Sequence, residues 1–231
     1  MSHLVANLEA VRQEIDQAAI MAKRAPSSVQ LIAVSKTHPA AAVIEAAAHQ
    51  QTIFGESRVQ EAREKIPNCP TGLSWHFIGH LQKNKIRQAL PLFTLFHSID
   101  SEALAGGISR IAGEMGRDAE GLLEVNVSGE PTKHGFTPEE LSANFSTLIR
   151  LPHLRVRGLM TMAPYGDNPE EARPFFRALR QLRDELQSTH GVELPELSMG
   201  MSGDFRPAIG EGATLVRVGT SIFGDRPQPQ P

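Results

Sequence analysis

Lys36 is the residue whose surroundings most clearly suggest chemistry. It follows an apolar run, residues 29–35, that is typical of a buried strand. In the alternation of that strand it shares a face with Ile32 and Val34, so we expect its stem to be packed and its amine to be placed at the rim of the domain. Desolvation lowers the pKa of a lysine and favours the free amine that attacks an aldehyde to form a Schiff base. From position alone, a strand-terminal lysine that reaches into water is the alternative.

Two segments near the carboxyl end have the composition of an anion-binding cradle. Ser202 and Gly203 follow one apolar segment, and Gly219 and Thr220 follow another. Backbone N–H groups at helix starts, glycine for close approach and hydroxyl groups are the usual parts of a phosphate site. In the alternative interpretation, Ser202 and Ser221 cap their own helices.

Arg217 is predicted to face the interior of the fold. It alternates with Val216 and Val218, which suit a layer of helices, so its side chain lies on the opposite face of the strand. A guanidinium is permanently charged and can only donate hydrogen bonds. Any group that it contacts must therefore accept.

A second predicted strand carries polar groups on one face. Glu124, Asn126 and Ser128 alternate with apolar residues and are expected to point inward. A carboxylate in such a place needs a cation, and Lys36 or Arg217 are the candidates. The alternative is an ion pair that fills the interior and has no chemical role.

The elements that must position these residues alternate regularly along the chain. Short apolar segments are each followed by a turn and by helix-compatible sequence such as residues 39–50, 102–115 and 169–189. We predict eight strands, at residues 29–35, 52–55, 75–78, 95–99, 122–127, 156–162, 197–201 and 215–220.

The fold class predicted from this alternation is α/β, as a single (β/α)8 TIM barrel. Eight units without a linker fit one barrel over residues 1–226, with an extra N-terminal helix and a disordered Pro/Gln tail at 227–231. A doubly wound sheet is the runner-up, but the first strand lacks a Gly-x-Gly-x-x-Gly sequence.

A barrel of this kind gathers its site at the carboxyl ends of its strands. Every predicted strand is followed there by polar or small residues, which are Lys36, residues 56–58, His80, Asp100, Asn126 with Ser128, Thr161, Ser202 with Asp204, and Arg217 with Gly219 and Thr220. One polar strand end is uninformative, but eight that include an amine predict a site.

Composition and charge exclude several functional classes. The 231 residues carry 23 basic and 26 acidic side chains, a net charge of −3, which argues against a nucleic-acid partner. No apolar stretch approaches the roughly 20 residues needed to cross a membrane. The amphipathic N-terminus is not an export signal, and the single Cys69 fits a reducing compartment, so we predict a cytoplasmic protein.

His76 and His80 are four residues apart, a spacing found in helical metal sites. They straddle a strand end instead, and no carboxylate or thiol has a companion spacing. We predict an interior His76, a rim His80 and no metal ligands.

Six ordered motifs resemble the YggS/PROSC family of pyridoxal phosphate homeostasis proteins. They are FGESRVQE at 54–61, HFIGHLQKNK at 76–85, NVSGEPTKHG at 126–135, GLMTM at 158–162, LSMGMSGD at 197–204 and RVGTSIFG at 217–224. The similarity extends from the first strand to Gly224. It implies a fold-type III barrel similar to the N-terminal domain of alanine racemase.

The resemblance also implies a cofactor and the residues that hold it. Pyridoxal 5′-phosphate would form an aldimine with Lys36, Arg217 would face the ring nitrogen, and Ser202, Gly203, Gly219 and Thr220 would hold the phosphate. Ser57 and Asn126 complete the predicted cofactor-binding set. The family usually has asparagine at the position of Ser57, and this shorter side chain is expected to weaken one contact.

The predicted function is cofactor homeostasis without catalytic turnover. A ring nitrogen that faces a guanidinium stays unprotonated and makes a weak electron sink. Racemisation in similar barrels uses a tyrosine from a separate C-terminal domain; no such domain is expected here, and the only tyrosine, Tyr165, lies after the sixth predicted strand.

Two enzymatic functions remain as alternatives. The first is a pyridoxal-dependent racemase or decarboxylase that uses Lys36 as its base. The second is a cofactor-free Schiff-base aldolase, whose lysine usually lies on a later strand, whereas the sixth strand here ends in Met-Thr-Met. The expected partners are the cofactor and the apoenzymes that need it, and the expected state is a monomer or weak dimer.

Overall fold

Eight parallel strands close into one barrel in the computed structural model, which describes residues 2–224. The predicted (β/α)8 fold is therefore confirmed. Each strand pairs with its neighbour in sequence, and β8 pairs with β1. The strands are β1 (Gln30–Val34), β2 (Ile53–Glu56), β3 (Ser74–Phe77), β4 (Leu95–Ile99), β5 (Ala119–Glu124), β6 (Leu154–Met160), β7 (Glu196–Met201) and β8 (Leu215–Val218).

Helices cover the outside of the barrel. They are α1 (His3–Met21), α2 (Ala40–Ala48), α3 (Val59–Lys65), α4 (Ile86–Ala89), α5 (Glu102–Glu114), α6 (Pro138–Leu148), α7 (Arg173–His190), α8 (Phe205–Gly210) and α9 (Thr220–Phe223). Short 3-10 turns lie at Pro26–Ser28, Ile66–Asn68, Lys83–Lys85 and Pro169–Ala172. The predicted N-terminal helix is α1, which packs on α8 and α9. Among the residues described, no helix is long and apolar enough to cross a membrane.

The strand alternation separates two apolar clusters. Residues that point outward from the barrel form the large core beneath the helices, and this core includes Ala33, Leu123, Val216 and Val218. Residues that point inward form a small second cluster of Ile32, Leu95, Leu122, Met160 and Leu215. The predicted directions of Glu124 and Arg217 follow from these neighbours, because each lies two residues beyond an inward-facing leucine.

The predicted bounds of strands five and six are wrong by two to three residues. β5 is Ala119–Glu124 instead of 122–127, so Asn126 lies in the following loop. The Asn126 side chain draws the chain out of the sheet, because its Oδ1 accepts the Gly129 N–H at 3.1 Å. β6 begins at Leu154. Its start was not predicted because the polar Arg155 interrupts the apolar pattern.

The predicted tail at 227–231, and the domain end at 226, lie outside the described residues. Within the described part, the chain forms the barrel from β1 to α9 without a break.

Gly158 on β6 shows how tightly neighbouring strands approach one another. A Cβ at this position would lie 1.8 Å from the backbone oxygen of Glu196. We expect Gly158→Ala to lower the free energy of unfolding by at least about 2 kcal/mol, since the backbone of β6 or β7 must shift. Urea denaturation followed by circular dichroism measures this loss.

Gly106 on α5 is the matched control for this prediction. A Cβ there would meet no atom within 4 Å, so Gly106→Ala should raise the free energy of unfolding by up to about 1 kcal/mol. Equal effects of the two substitutions would contradict the close approach at Gly158.

Candidate functional site

A cavity of about 630 Å³ opens at the carboxyl end of the barrel. It brings together six of the eight residues predicted to hold a cofactor, namely Lys36, Ser202, Gly203, Arg217, Gly219 and Thr220. These residues come from the ends of β1, β7 and β8, which are neighbours in the closed barrel. The remaining wall includes the loop after β6, from Met162 to Ala172.

Lys36 reaches this cavity from the end of β1. The strand ends at Val34, and the Ser35 N–H still donates to the Gly55 carbonyl at 3.1 Å, so the alternation continues one residue further. Ile32 is fully buried in the inner cluster, and Val34 lines the cavity with Lys36. Lys36 is half-buried, as its position in the strand predicted.

The two glycine-containing segments meet beside the lysine. The Gly219 N–H donates to Ser202 Oγ at 3.3 Å, so the loops after β7 and β8 are joined directly. A Cβ at Gly219 would lie 3.3 Å from Val34, which keeps this backbone close to β1. The first N–H groups of a helix have no acceptor within it, and Thr220 begins α9.

The alternative interpretation of the two serines as helix caps is wrong. Asp204 and Gly219 occupy the N-cap positions of α8 and α9, and neither helix has a side-chain cap. Ser221 lies inside α9. Asp204 instead accepts the Met201 N–H at 2.6 Å, and burial raises the pKa of its carboxyl.

Arg217 is buried and held by two acceptors inside the barrel. Its Nη2 donates to the Thr161 carbonyl at 2.9 Å, and its Nη1 donates to Ser198 Oγ. Burial lowers the pKa of Arg217 to about 10, while Glu124 and Asp204 act in the opposite direction. The guanidinium therefore remains charged at neutral pH.

A chain of hydrogen bonds extends from Arg217 down the barrel interior. His97 Nδ1 lies 2.8 Å from Ser198 Oγ, and His97 Nε2 lies 3.0 Å from His76 Nδ1. Both histidines are buried, which lowers the pKa of His76 to about 4 and that of His97 well below its ordinary value. Both rings are therefore neutral near pH 7.

The charge of Arg217 fixes the direction of the first bond in this chain. Because the guanidinium can only donate, Ser198 Oγ accepts from it. The direction of the two bonds made by His97 follows from which ring nitrogen carries the proton. The predicted interior position of His76 is confirmed, since His76 is buried and lies at the far end of this chain.

Glu124 shares the interior with Arg217. Its side chain is buried, and burial together with the nearby Asp100 raises its pKa to about 7, while Arg217 and His80 act to lower it. The sequence offered Lys36 and Arg217 as cations for Glu124. In the structure, the charge of Arg217 lowers the pKa of Glu124. Glu124 is thus a carboxyl group that changes its charge near neutral pH.

Ser57 and Asn126 do not line the cavity. The Ser57 backbone packs against Gly79, where a Cβ would lie 2.2 Å from the Ser57 carbonyl oxygen. The Asn126 side chain is turned toward its own loop, because Nδ2 donates to the Glu130 carbonyl and Oδ1 accepts from Ser128 and Gly129. A contact from either residue to a cofactor remains a prediction.

Several wall residues were not found from the sequence. His38 lies two residues beyond Lys36 and stacks on Phe223 with ring centroids 5.1 Å apart. Met162 and Tyr165 belong to the loop after β6, and Tyr165 is 96% exposed. The general rule that sites of barrels use the loops after strands could have indicated this loop, but its residue types carry no specific signal.

His80 has a carboxylate neighbour that its spacing in the sequence did not reveal. His80 Nδ1 lies 2.9 Å from Asp100 Oδ2, and the rings of His80 and His134 stack with centroids 4.5 Å apart. The sequence prediction considered only companion spacings along the chain, and this contact joins residues that lie 20 positions apart. One ligand atom each of His80, Asp100 and His134 lies within 4.8 Å of the others, so these three residues could hold a metal ion, and the absence of metal ligands stays a prediction.

Comparisons with known proteins identify the family of this chain. The family described as the alanine racemase N-terminal domain matches residues 6–227. A pyridoxal phosphate homeostasis protein of Aquifex aeolicus is 45% identical over 220 residues, which cover 95% of this chain and 96% of that protein. The chain belongs to the pyridoxal phosphate homeostasis protein family.

Solved structures similar to this chain were also found. PipY of Synechococcus elongatus PCC7942, in a structure with PLP bound, is 45% identical and has a TM-score of 0.80, covering 91% of this chain and 100% of that chain. An alanine racemase of Clostridium difficile 630 is 19% identical with a TM-score of 0.75, covering 97% of this chain and 58% of that chain. The second likeness shows the fold alone.

The raised pKa of Glu124 makes a prediction about stability and pH. Its pKa in the folded state, about 7, lies above the ordinary 4.5. The protonated Glu124 therefore contributes to the free energy of unfolding at low pH, and this contribution is lost as the pH rises from 4.5 through about 7. Glu124→Gln removes the cost of burying the charge. At pH 8 the variant should exceed the wild type by about 1–3 kcal/mol in free energy of unfolding, and at pH 4.5 the difference should be small. Urea denaturation across this range measures it.

The exposed Glu185 on α7 supplies the control, since Glu185→Gln makes the same chemical change on the surface. Glu185→Gln should give no gain in stability comparable to that of Glu124→Gln at pH 8. If the two variants show parallel pH profiles, Glu124 does not carry a raised pKa.

Proposed function

We propose that this protein binds pyridoxal 5′-phosphate covalently on Lys36 and holds it without turning over a substrate. Lys36 would supply a neutral amine for an imine with the aldehyde, and the carbonyl oxygen would leave as water together with the two protons of the amine. The observation that carries this proposal is the convergence of Lys36, Arg217 and the two glycine-containing loops on one cavity. Its volume lies within the range of about 300–1,000 Å³ common for small-molecule sites.

The residues present fit the three chemical groups of this cofactor. The amine suits the aldehyde, and Ser202, Gly203, Gly219 and Thr220 offer hydroxyl and backbone donors for the phosphate. Arg217 offers a donor for the ring nitrogen. The relative PipY has a structure with PLP bound, and the relative from Aquifex aeolicus is named for pyridoxal phosphate homeostasis.

Lys65 is a second buried lysine near Lys36, but it is a poor candidate for the same bond. Its Nζ donates to the Ser35 carbonyl at 2.8 Å and to one carboxylate oxygen each of Glu56 and Glu61 at 2.7 Å. These three bonds use all three N–H groups of an ammonium. Lys65 does not line the cavity, whereas Lys36 does.

The absence of turnover is proposed from the surroundings of Arg217. The bound cofactor supplies an aldehyde and an electron-withdrawing ring, and the ring withdraws best when its nitrogen is protonated. Arg217 keeps its proton at neutral pH and has no acceptor to offer. It therefore favours an unprotonated nitrogen, which suits storage and transfer of the cofactor better than removal of a substrate proton. Apoenzymes that need the cofactor are the proposed recipients, and the cytoplasm is the proposed location.

Trapping of the imine tests the covalent bond. Purified protein loaded with pyridoxal phosphate should absorb visible light, and borohydride should reduce the imine to a stable secondary amine on Lys36, which peptide mass spectrometry locates. Lys36→Ala should abolish the reduced adduct completely, because no other lysine among residues 2–224 lines the cavity.

Lys133 provides the matched control, because its Nζ lies 3.4 Å from the carbonyl of Met162 on the cavity wall. Lys133→Ala should retain the adduct. A reduced adduct that persists in Lys36→Ala, or that lies on Lys65, would remove the assignment.

Exchange of the α-proton of amino acids into heavy water tests the absence of turnover. We expect no exchange above the rate given by free pyridoxal phosphate, measured by NMR over a broad panel of amino acids. Exchange that the wild type catalyses and Lys36→Ala does not would instead favour the racemase or decarboxylase alternative, with Lys36 as the base.

A further inference from the structure

The backbone around Lys36 is held by a charged cluster that the proposed function does not use. The cluster consists of Glu56 at the end of β2, Glu61 on α3 and Lys65 on the same helix. Lys65 bridges the two carboxylates with contacts of 2.7 Å. Glu56 is fully buried and Lys65 is 7% exposed, so this network lies between the barrel and its helices.

The cluster binds the residue before Lys36 through two polar groups. Ser35 Oγ donates to Glu56 Oε1 at 2.7 Å, and Lys65 Nζ donates to the Ser35 carbonyl at 2.8 Å. Ser35 is fully buried and shares the outward phase of Ala33, which belongs to the core beneath the helices. Successive residues of a strand point to opposite faces, so fixing Ser35 outward directs Lys36 inward.

The same cluster binds the residue after Lys36. The Thr37 N–H donates to Glu61 Oε1 at 2.6 Å, and Thr37 has a φ of 68°. This left-handed conformation is unfavourable for a β-branched residue and persists only when its surroundings impose it. Glu61 supplies such a constraint, because its carboxylate accepts from Thr37 and from Lys65 together.

We infer that Glu61 and Lys65 are positioning residues for Lys36, which fix the backbone on both sides of it and thereby aim its amine into the cavity. The expected effect on the attachment of pyridoxal phosphate rests on the proposed function. The effect on the backbone around Lys36 involves only residues of this chain. The amine is placed before the aldehyde arrives, so little ordering cost remains for bond formation.

Glu61→Ala, Glu61→Gln and Glu64→Ala form a matched set on α3. Alanine at 61 removes the acceptor for Thr37, whereas glutamine keeps an acceptor oxygen and removes only the charge. Glu64 is exposed on the same helix, where it accepts from Gln60, and it does not contact the cluster. Two measurements apply to each variant: amide hydrogen exchange of Thr37 without cofactor, and titration with pyridoxal phosphate followed by absorbance.

In Glu61→Ala the Thr37 amide should exchange at least about tenfold faster, and the affinity for pyridoxal phosphate should fall about tenfold, since a hydrogen bond to a charged group is lost. Glu61→Gln should lie between Glu61→Ala and the wild type, and Glu64→Ala should match the wild type in both measurements. The partly exposed position of Glu61 should keep the thermal midpoint of unfolding within about 4 °C of the wild type.

Two results would overturn the inference: unchanged exchange of Thr37 in Glu61→Ala, or equal affinities of Glu61→Ala and Glu64→Ala. Failure of the proposed function would look different. In that case the wild type itself would give no adduct that borohydride can fix, while the exchange of Thr37 would still decide whether Glu61 holds this backbone.

Discussion

The alternation of side chains at the end of β1 places two adjacent residues in opposite environments. Ser35 points to the helix layer, where Glu56 and Lys65 bind it, and Lys36 points into the barrel mouth. A single peptide unit cannot turn one of these side chains without turning the other. The rigidity of the buried, outward side therefore determines where the inward amine lies, and the geometry of the cavity depends on it.

The barrel interior is organised by a second constraint, the cost of burying charge. Arg217 keeps its charge inside the barrel because the Thr161 carbonyl and Ser198 Oγ accept its hydrogen bonds, and Ser198 is linked in turn to His97 and His76. The two histidines stay neutral because the same burial makes an additional positive charge unfavourable. For Glu124 the cost of burying a charge is lowered in another way, because its pKa rises to about 7 and the carboxyl can be neutral.

The fold and the larger part of the candidate site could be predicted from local patterns. Strand alternation correctly gave the inward directions of Glu124 and Arg217, and the rule that barrel sites gather at strand ends correctly brought Lys36 beside the glycine-containing loops. The prediction was weaker at Asn126, because its side chain bonds its own loop instead of continuing the strand. Periodicity does not detect such competition between a side chain and the backbone.

The sequence by itself determined the order of the strands, the phase of Lys36 and the family to which the chain belongs, because these depend on neighbours along the chain. Only the tertiary structure decided which distant groups meet. His80 and Asp100 are 2.9 Å apart although they follow different strands, and Lys65 bonds the backbone of Ser35 from another element. Contacts of this kind are set by closure of the barrel and by the packing of helices against it, and no short-range pattern encodes them.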